Sequence, residues 1–254
     1  MGLQNRQKLS KLGLTFAATP QIRQPPSALN NYLSFKFFML SFLGLKPAKN
    51  LPESLPLFPL GATLFPGGRL GLKVFEQRYI DLAKARIADG ELFGVVTLTG
   101  GGEVGAAQSF AKIGTAARVL SFDMPQAGIF LLDVVGEDRF EVLTAKTEKS
   151  GLQRAAVRWI PAEKKLKVPN TYSELSAILS QVMGHAGEAK FAEPFDLEDA
   201  TWVGSRLVEI LQLPPSIKQS LLEINDAELR LKTVYHLINR AANAAGNPPA
   251  SQAS

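Results

Sequence analysis

At Pro169 the hydrophobic rhythm of the chain changes, from short apolar runs broken by turn residues to a period of 3.6. Side chains alternate faces along a strand and return to one face every three or four residues along a helix. A chain with one such switch builds its β part first and its helical part second. Before the switch, runs of strand length fall at Leu92–Leu98, Lys112–Phe122, Ile129–Val135, Arg139–Thr147 and Leu152–Ile160. Met124–Gly128, Gly136–Asp138 and Ser150–Gly151 read as turns between them, and Gly100–Gly105 as a flexible connection. A single helix interrupts the series. In Glu76–Gly90, Ile80, Ala83 and Ile87 share a face, and Gly90 supplies a stop signal. Regularly spaced short strands around one inserted helix predict a mixed, partly closed β barrel. The stretch Leu55–Phe75 holds Pro59, Gly61, Pro66, Gly67 and Gly68. Proline brings no N–H to a ladder, so edge strands or turns are expected there.

After the switch, Thr171 and Glu174 have the spacing of a capping box. Tyr172, Leu175, Ile178, Leu179, Val182 and Met183 form one apolar stripe behind it. A second helix is expected over Leu197–Leu211, facing inward through Val203, Leu207, Ile210 and Leu211. Pro214 and Pro215 break it and open a third. Asn225 and Glu228 read as a further capping box, starting a helix that carries Leu229, Val234, Leu237 and Ile238. From Ala241 the sequence is uncharged and low in complexity, and residues 241–254 are expected to be a disordered tail.

The net charge of +5 invites a nucleic-acid reading, but its distribution argues against one. Residues 1–50 carry seven basic residues and no acidic ones, leaving 21 basic against 23 acidic residues in the remainder. Phosphate neutralisation supplies most non-specific nucleic-acid affinity, and a near-neutral body provides little of it. There is no cysteine, which excludes disulfides and thiolate metal sites and fits a reducing, cytoplasmic setting. Residues 1–50 are expected to be an N-terminal extension outside the fold, either disordered or arising from a start upstream of a true one at Met39. The apolar run Tyr32–Leu45 is interrupted by Lys36 and is shorter than the roughly 20 residues a spanning helix needs. With its basic residues far upstream and no small-residue cleavage site after it, the run does not read as a signal peptide.

Between Leu55 and Tyr79 the sequence reads LPLFPLGATLFPGGRLGLKVFEQRY. This resembles the opening signature of the substrate-binding N-terminal domain of Lon proteases: L-P-L-F-P-L, a short gap, L-F-P-G, then an apolar strand into F-E-x-R-Y. FAKIGTAARV (Phe110–Val119) is similar to that family's G-T-x-A strand, and LLDVVGEDRFEVL (Leu131–Leu143) to its G-x-x-R-F hairpin. KQSLLE (Lys218–Glu223) and ELRLKTV (Glu228–Val234) are similar to its closing helices. The resemblance implies an α+β fold, a PUA-like β pseudobarrel over residues 51–168 followed by a C-terminal helical bundle over 169–240. It also implies a protein- or peptide-binding module acting in protein quality control, with unfolded or apolar protein segments as partners. The sequence contains no G-x-x-x-x-G-K-[ST] loop to hold ATP phosphates. A stand-alone version without Lon's ATPase or protease is therefore expected, with no enzymatic activity and no cofactor. The PUA-like fold suggests RNA binding as the alternative, against which the charge distribution counts.

No other pattern points to catalysis. His185 and His236 lack metal-ligand spacing and read as surface or helix-end residues. There is no G-x-S-x-G elbow. The candidates are therefore the motif residues. Phe75 and Tyr79, four apart, either anchor the helix to the barrel or border a peptide groove, and Glu76 and Arg78 bond the helix start or nearby loops. Phe65 and Pro66 form a rigid turn or a ligand contact. Arg139 and Phe140 pack a strand, with Glu137 or Glu141 as expected partners of Arg139.

Overall fold

A computed structural model describes residues 51–102 and 109–246. The expectations for residues 1–50, for 103–105 of the glycine-rich connection and for 247–254 lie outside the described residues. The β part comprises β1 (Ser54–Leu60), β2 (Arg69–Val74), helix α1 (Gln77–Asp89), β3 (Phe93–Gly100), β4 (Ser109–Gln126), β5 (Ile129–Thr147) and β6 (Gln153–Trp159). The helical part holds α2 (Ser173–Ala186), α3 (Ala200–Ile210), α4 (Pro215–Glu223) and α5 (Ala227–Gly246). The β-then-α order follows the change of period at Pro169.

The six strands form one sheet in the order β2-β5-β4-β3-β1-β6. Pairing of β6 with both β1 and β5 closes five strands into a ring and leaves β2 outside it, paired with β5 alone among the described residues. β1 and β3 run parallel, and every other pair is antiparallel.

β1 is not the edge strand its prolines suggest. Its first half, Ser54–Leu57, pairs with β6, and its second half, Leu57–Leu60, with β3. Pro56 and Pro59 therefore each sit where only one neighbour is present, so one side of the backbone needs no N–H.

Residues 136–138 are not a turn. β5 runs unbroken from Ile129 to Thr147, so the expected G-x-x-R-F hairpin is a bulge inside one strand. The register against β4 shifts between Ala117 opposite Gly136 and Thr115 opposite Arg139. Gly136 is there because the Phe65–Gly68 turn docks on it. Gly67 N–H donates to Gly136 O at 2.7 Å, and Gly136 N–H donates to Gly68 O at 2.9 Å. A Cβ on Gly136 would lie 2.2 Å from Phe65 O.

The expected helix caps also shift. Thr171–Glu174 does not cap α2, because Asn170–Tyr172 form a 3-10 turn and the helix starts at Ser173 without a side-chain cap. At α5 the capping oxygen belongs to Asp226, which accepts Leu229 N–H at 2.9 Å. Leu229 is itself exposed, and Ala227, Leu231, Val234 and Ile238 form the buried stripe of α5. That helix continues to Gly246, past the expected boundary at residue 240.

Three apolar clusters result. One fills the ring (Leu55, Leu57, Val96, Ala116, Phe140, Ala155). A second joins α1 to the ring and β2 through Phe58, Val74, Tyr79, Phe93 and Leu132. The third is the helical core, into which the barrel turn inserts Phe65.

Candidate functional site

The structure divides the eight candidate residues between two places and leaves one in neither. Phe140 is fully buried inside the ring, edge-on to Trp159 with centroids 6.1 Å apart, and is a packing residue.

The first place is the seam between barrel and helices. Phe65 is buried in the helical core, and the backbone of the same turn is held by Arg206, whose Nη2 donates to Pro66 O at 3.0 Å. Arg206 Nε lies 2.8 Å from Glu209 Oε2. Burial pushes the Glu209 carboxyl above its ordinary value, against the pull of Arg206 and Lys218. A Cβ on Gly68 would stand 2.0 Å from Glu209 Oε1, so this turn must carry glycine for the carboxylate to approach.

Arg139 is not paired with Glu137 or Glu141. Those residues bind Arg118 and Arg158 instead. A bulge re-aims the side chain that follows it, and Arg139 crosses to the helical part. Its Nη1 donates to Leu222 O at 2.7 Å and Ile224 O at 3.0 Å, and its Nη2 to Asn225 Oδ1 at 2.6 Å. Glu163, on the connector after β6, lies 2.9 Å from the same Nη2. Arg230 grips Glu163 from the other side through Nη1 at 2.9 Å and Nη2 at 2.5 Å, and its Nε donates to Leu221 O at 3.1 Å. Two guanidinium groups thus satisfy the carbonyls at the end of α4, where a helix leaves its acceptors unpaired and its dipole negative. Burial lowers the Arg139 pKa, with Glu163 opposing and Arg230 adding to the effect. Arg139, Glu163 and Arg230 are taken up by one another and by these carbonyls, so they hold the two halves together.

The second place is a shallow cleft between the end of β1, the end of β2 and the start of α1. Phe58, Pro59, Leu60, Lys73, Val74, Phe75, Glu76 and Tyr79 line it. Tyr79 anchors α1 by stacking on Phe58, with centroids 4.2 Å apart. Phe75 does not share that role. It precedes the helix and is 53% exposed at the cleft mouth. Glu76 stands at the helix start without a side-chain capping bond and pairs with Arg78 at 3.1 Å. Arg78 in turn donates to Gly151 O at 2.9 Å, in the β5–β6 turn, and lies over the Tyr79 ring.

Sequence reasoning did not name Lys73, Phe58 or Leu60 as site residues and read Pro59 only as an edge or turn signal, although all four fall inside the motif it quoted. Nor did it find Glu163, Arg206, Glu209 or Arg230. A charged residue amid an apolar helix stripe, as at Arg206 and Arg230, was the available signal. His185 and His236 are exposed, and His185 Nδ1 contacts Gln181 O at 2.7 Å within its own helix. Among the described residues no group of three or more His, Asp or Glu could hold a metal ion, and no helix is long and apolar enough to cross a membrane.

Residues 54–240 match the ATP-dependent protease La (LON) substrate-binding domain family. Lon protease 2 of Myxococcus xanthus is 28% identical over 239 residues, covering 91% of this chain and 27% of that protein. Lon protease of Anaeromyxobacter dehalogenans is 30% identical over 201 residues, covering 76% and 24%. The chain thus spans about a quarter of the length of the curated relatives it matches. The crystal structure of a Lon N-terminal domain protein from Xanthomonas campestris superposes with a TM-score of 0.60 at 32% identity, covering 72% of this chain and 97% of that one. The N-terminal domain of a Mycobacterium avium complex Lon protease shares the fold, with a TM-score of 0.53 at 15% identity over 73% of this chain and 98% of that one. By its sequence, and in keeping with its mixed sheet and helices, the chain belongs to the Lon substrate-binding domain family.

Proposed function

We propose that this chain is a non-catalytic module that binds extended or unfolded protein segments, in the manner the family name describes, and that it serves protein quality control. In this reading residues 51–168 act as a PUA-like barrel half and 169–240 as the helical half of one binding domain. The observation that carries it is the cleft, where a large aromatic, Phe75, is left 53% exposed beside the end of a strand that pairs on one side only. An isolated exposed apolar residue is ordinary. One placed at a concave opening next to an unpaired sheet edge has the two parts that strand addition uses, backbone groups for affinity and a pocket for a side chain. Nothing in the cleft brings a nucleophile and a base together, so binding is the chemistry it supports. Titrating the full chain with permanently unfolded, carboxymethylated proteins tests the reading. Saturable binding that weakens in Phe75→Ser is expected. Binding no stronger than to the native forms of the same proteins removes it.

A further inference from the structure

We infer that the β2 edge selects segments in which a bulky apolar side chain stands two residues from a carboxylate. This rests on the peptide-binding reading and specifies its substrate. Leu72 and Val74 point into the core, so Lys73 falls on the opposite face of β2; Phe75 directly follows the strand, and both are exposed. A strand added to the edge of β2 away from β5, and continued one residue past Val74, places a residue across from each of them, with Cβ atoms about 5 Å apart. Because faces alternate with a period of two, the partner's two matching residues are themselves two apart. The residue opposite Phe75 is then apolar, to cover the ring and the Pro59–Leu60 wall of the cleft.

The sign of the other residue follows from the local charges. Glu76 is already neutralised by Arg78 at 3.1 Å. On the face of β2 that carries Lys73, Arg69 is paired with Asp133. Asp123 lies two strands away through Leu131, roughly 10 Å at ordinary strand spacing. Its carboxylate accepts Met124 N–H at 2.8 Å. Among the described residues no carboxylate pairs with Lys73. The edge therefore offers one uncompensated cation two residues from an aromatic, and a carboxylate at the matching spacing complements both. The same lysine disfavours a second copy of this chain as occupant, because two β2 edges would bring like charges together.

The test uses the full chain and fluorescently labelled nine-residue peptides on a Ser/Thr background. They carry Phe-x-Asp, Phe-x-Lys or Ser-x-Asp, each also in reversed order because the added strand can run in either direction. Anisotropy is expected to show the better-oriented Phe-x-Asp peptide binding about fivefold tighter than its lysine counterpart, the swing of one exposed cross-strand charge pair. Lys73→Glu should reverse that preference while leaving the melting temperature unchanged, since Lys73 is exposed. Equal binding of the charge variants, or a preference that survives Lys73→Glu, overturns the inference but leaves the binding reading intact. Loss of all binding, including that of unfolded proteins, overturns both. A concentration-dependent dimer that Lys73→Glu disrupts also overturns it, since the edge would then be occupied by a second copy.

Discussion

The seam between barrel and helices and the cleft beside β2 are built from the same short motif, with Pro66 and Phe75 only nine positions apart. In the seam the arginines reach across between the two halves of the molecule. Arg139 reaches the end of α4, Arg230 returns to Glu163 on the connector, and Arg206 holds the Phe65–Gly68 turn. At the cleft the answers stay local or are missing. Glu76 turns to Arg78, no carboxylate among the described residues pairs with Lys73, and Phe75 is exposed. The contrast separates two uses of a recurring motif residue. A buried ion pair closed by hydrogen bonds fixes geometry, while an exposed aromatic at the edge is, in the proposed function, left for a partner to cover.

The widest break in this comparison comes from the seam. Glu163→Ala leaves two buried guanidinium groups facing each other, and unpaired buried charge typically costs about 3–5 kcal/mol. Urea unfolding should show that loss, while peptide affinity of the still-folded fraction stays the same. A loss below about 1 kcal/mol would mean that the seam is solvated in practice. Next in size is Gly136→Ala. Its methyl group would meet the Phe65 carbonyl, and overpacking against backbone costs about 1–3 kcal/mol. The same substitution at Gly90, the left-handed stop of α1, meets no atom within 4 Å, so only its backbone strain remains. Comparing the two by thermal melting separates contact from conformation.

At the cleft the expected pattern inverts. Phe75→Ser should change stability by less than about 0.5 kcal/mol, as exposed substitutions do. It should weaken binding of unfolded protein about tenfold, the scale of losing one aromatic contact. A stability loss without a binding loss would move Phe75 into the structural class.

The smallest effect concerns pH. Burial raises the Glu209 carboxyl above its ordinary 4.5, so the native state takes up that proton before the unfolded chain does. Its contribution to stability is complete below 4.5 and is lost as pH rises through the higher native value. Glu209→Gln should flatten the stability profile above pH 4.5 relative to the unmodified protein, measured by urea unfolding at a series of pH values. An unchanged slope would show that Arg206 and Lys218 already compensate the burial.

Much of the architecture was legible in the residues. α1 and its glycine stop, the apolar stripes of α2 and α3, and the β-then-α order all follow from periodicity, because the period depends only on which side chains must be hidden. The misreadings share another cause. Gly136 reads as a turn because glycine marks turns, but here it marks the place where a distant backbone comes within hydrogen-bonding distance. The prolines of β1 read as an edge signal because the stagger between its two neighbours is invisible in one dimension. The cleft was half legible. Phe75, Glu76 and Tyr79 stand out in the motif, whereas Lys73 acquires meaning only once β2 is known to pair on one side.

By itself, then, the sequence determined the family, the order of β and helical parts, and the absence of thiol chemistry. These are properties of local pattern and residue type. Tertiary structure decided which motif residues are locked and which are left open. It brought Glu163, Asn225 and Arg230 to Arg139 across 24 to 91 positions of chain, and it left β2 outside the ring. Such pairings depend on where distant segments meet, and in a chain folded by many weak contacts that is fixed only when the whole core closes.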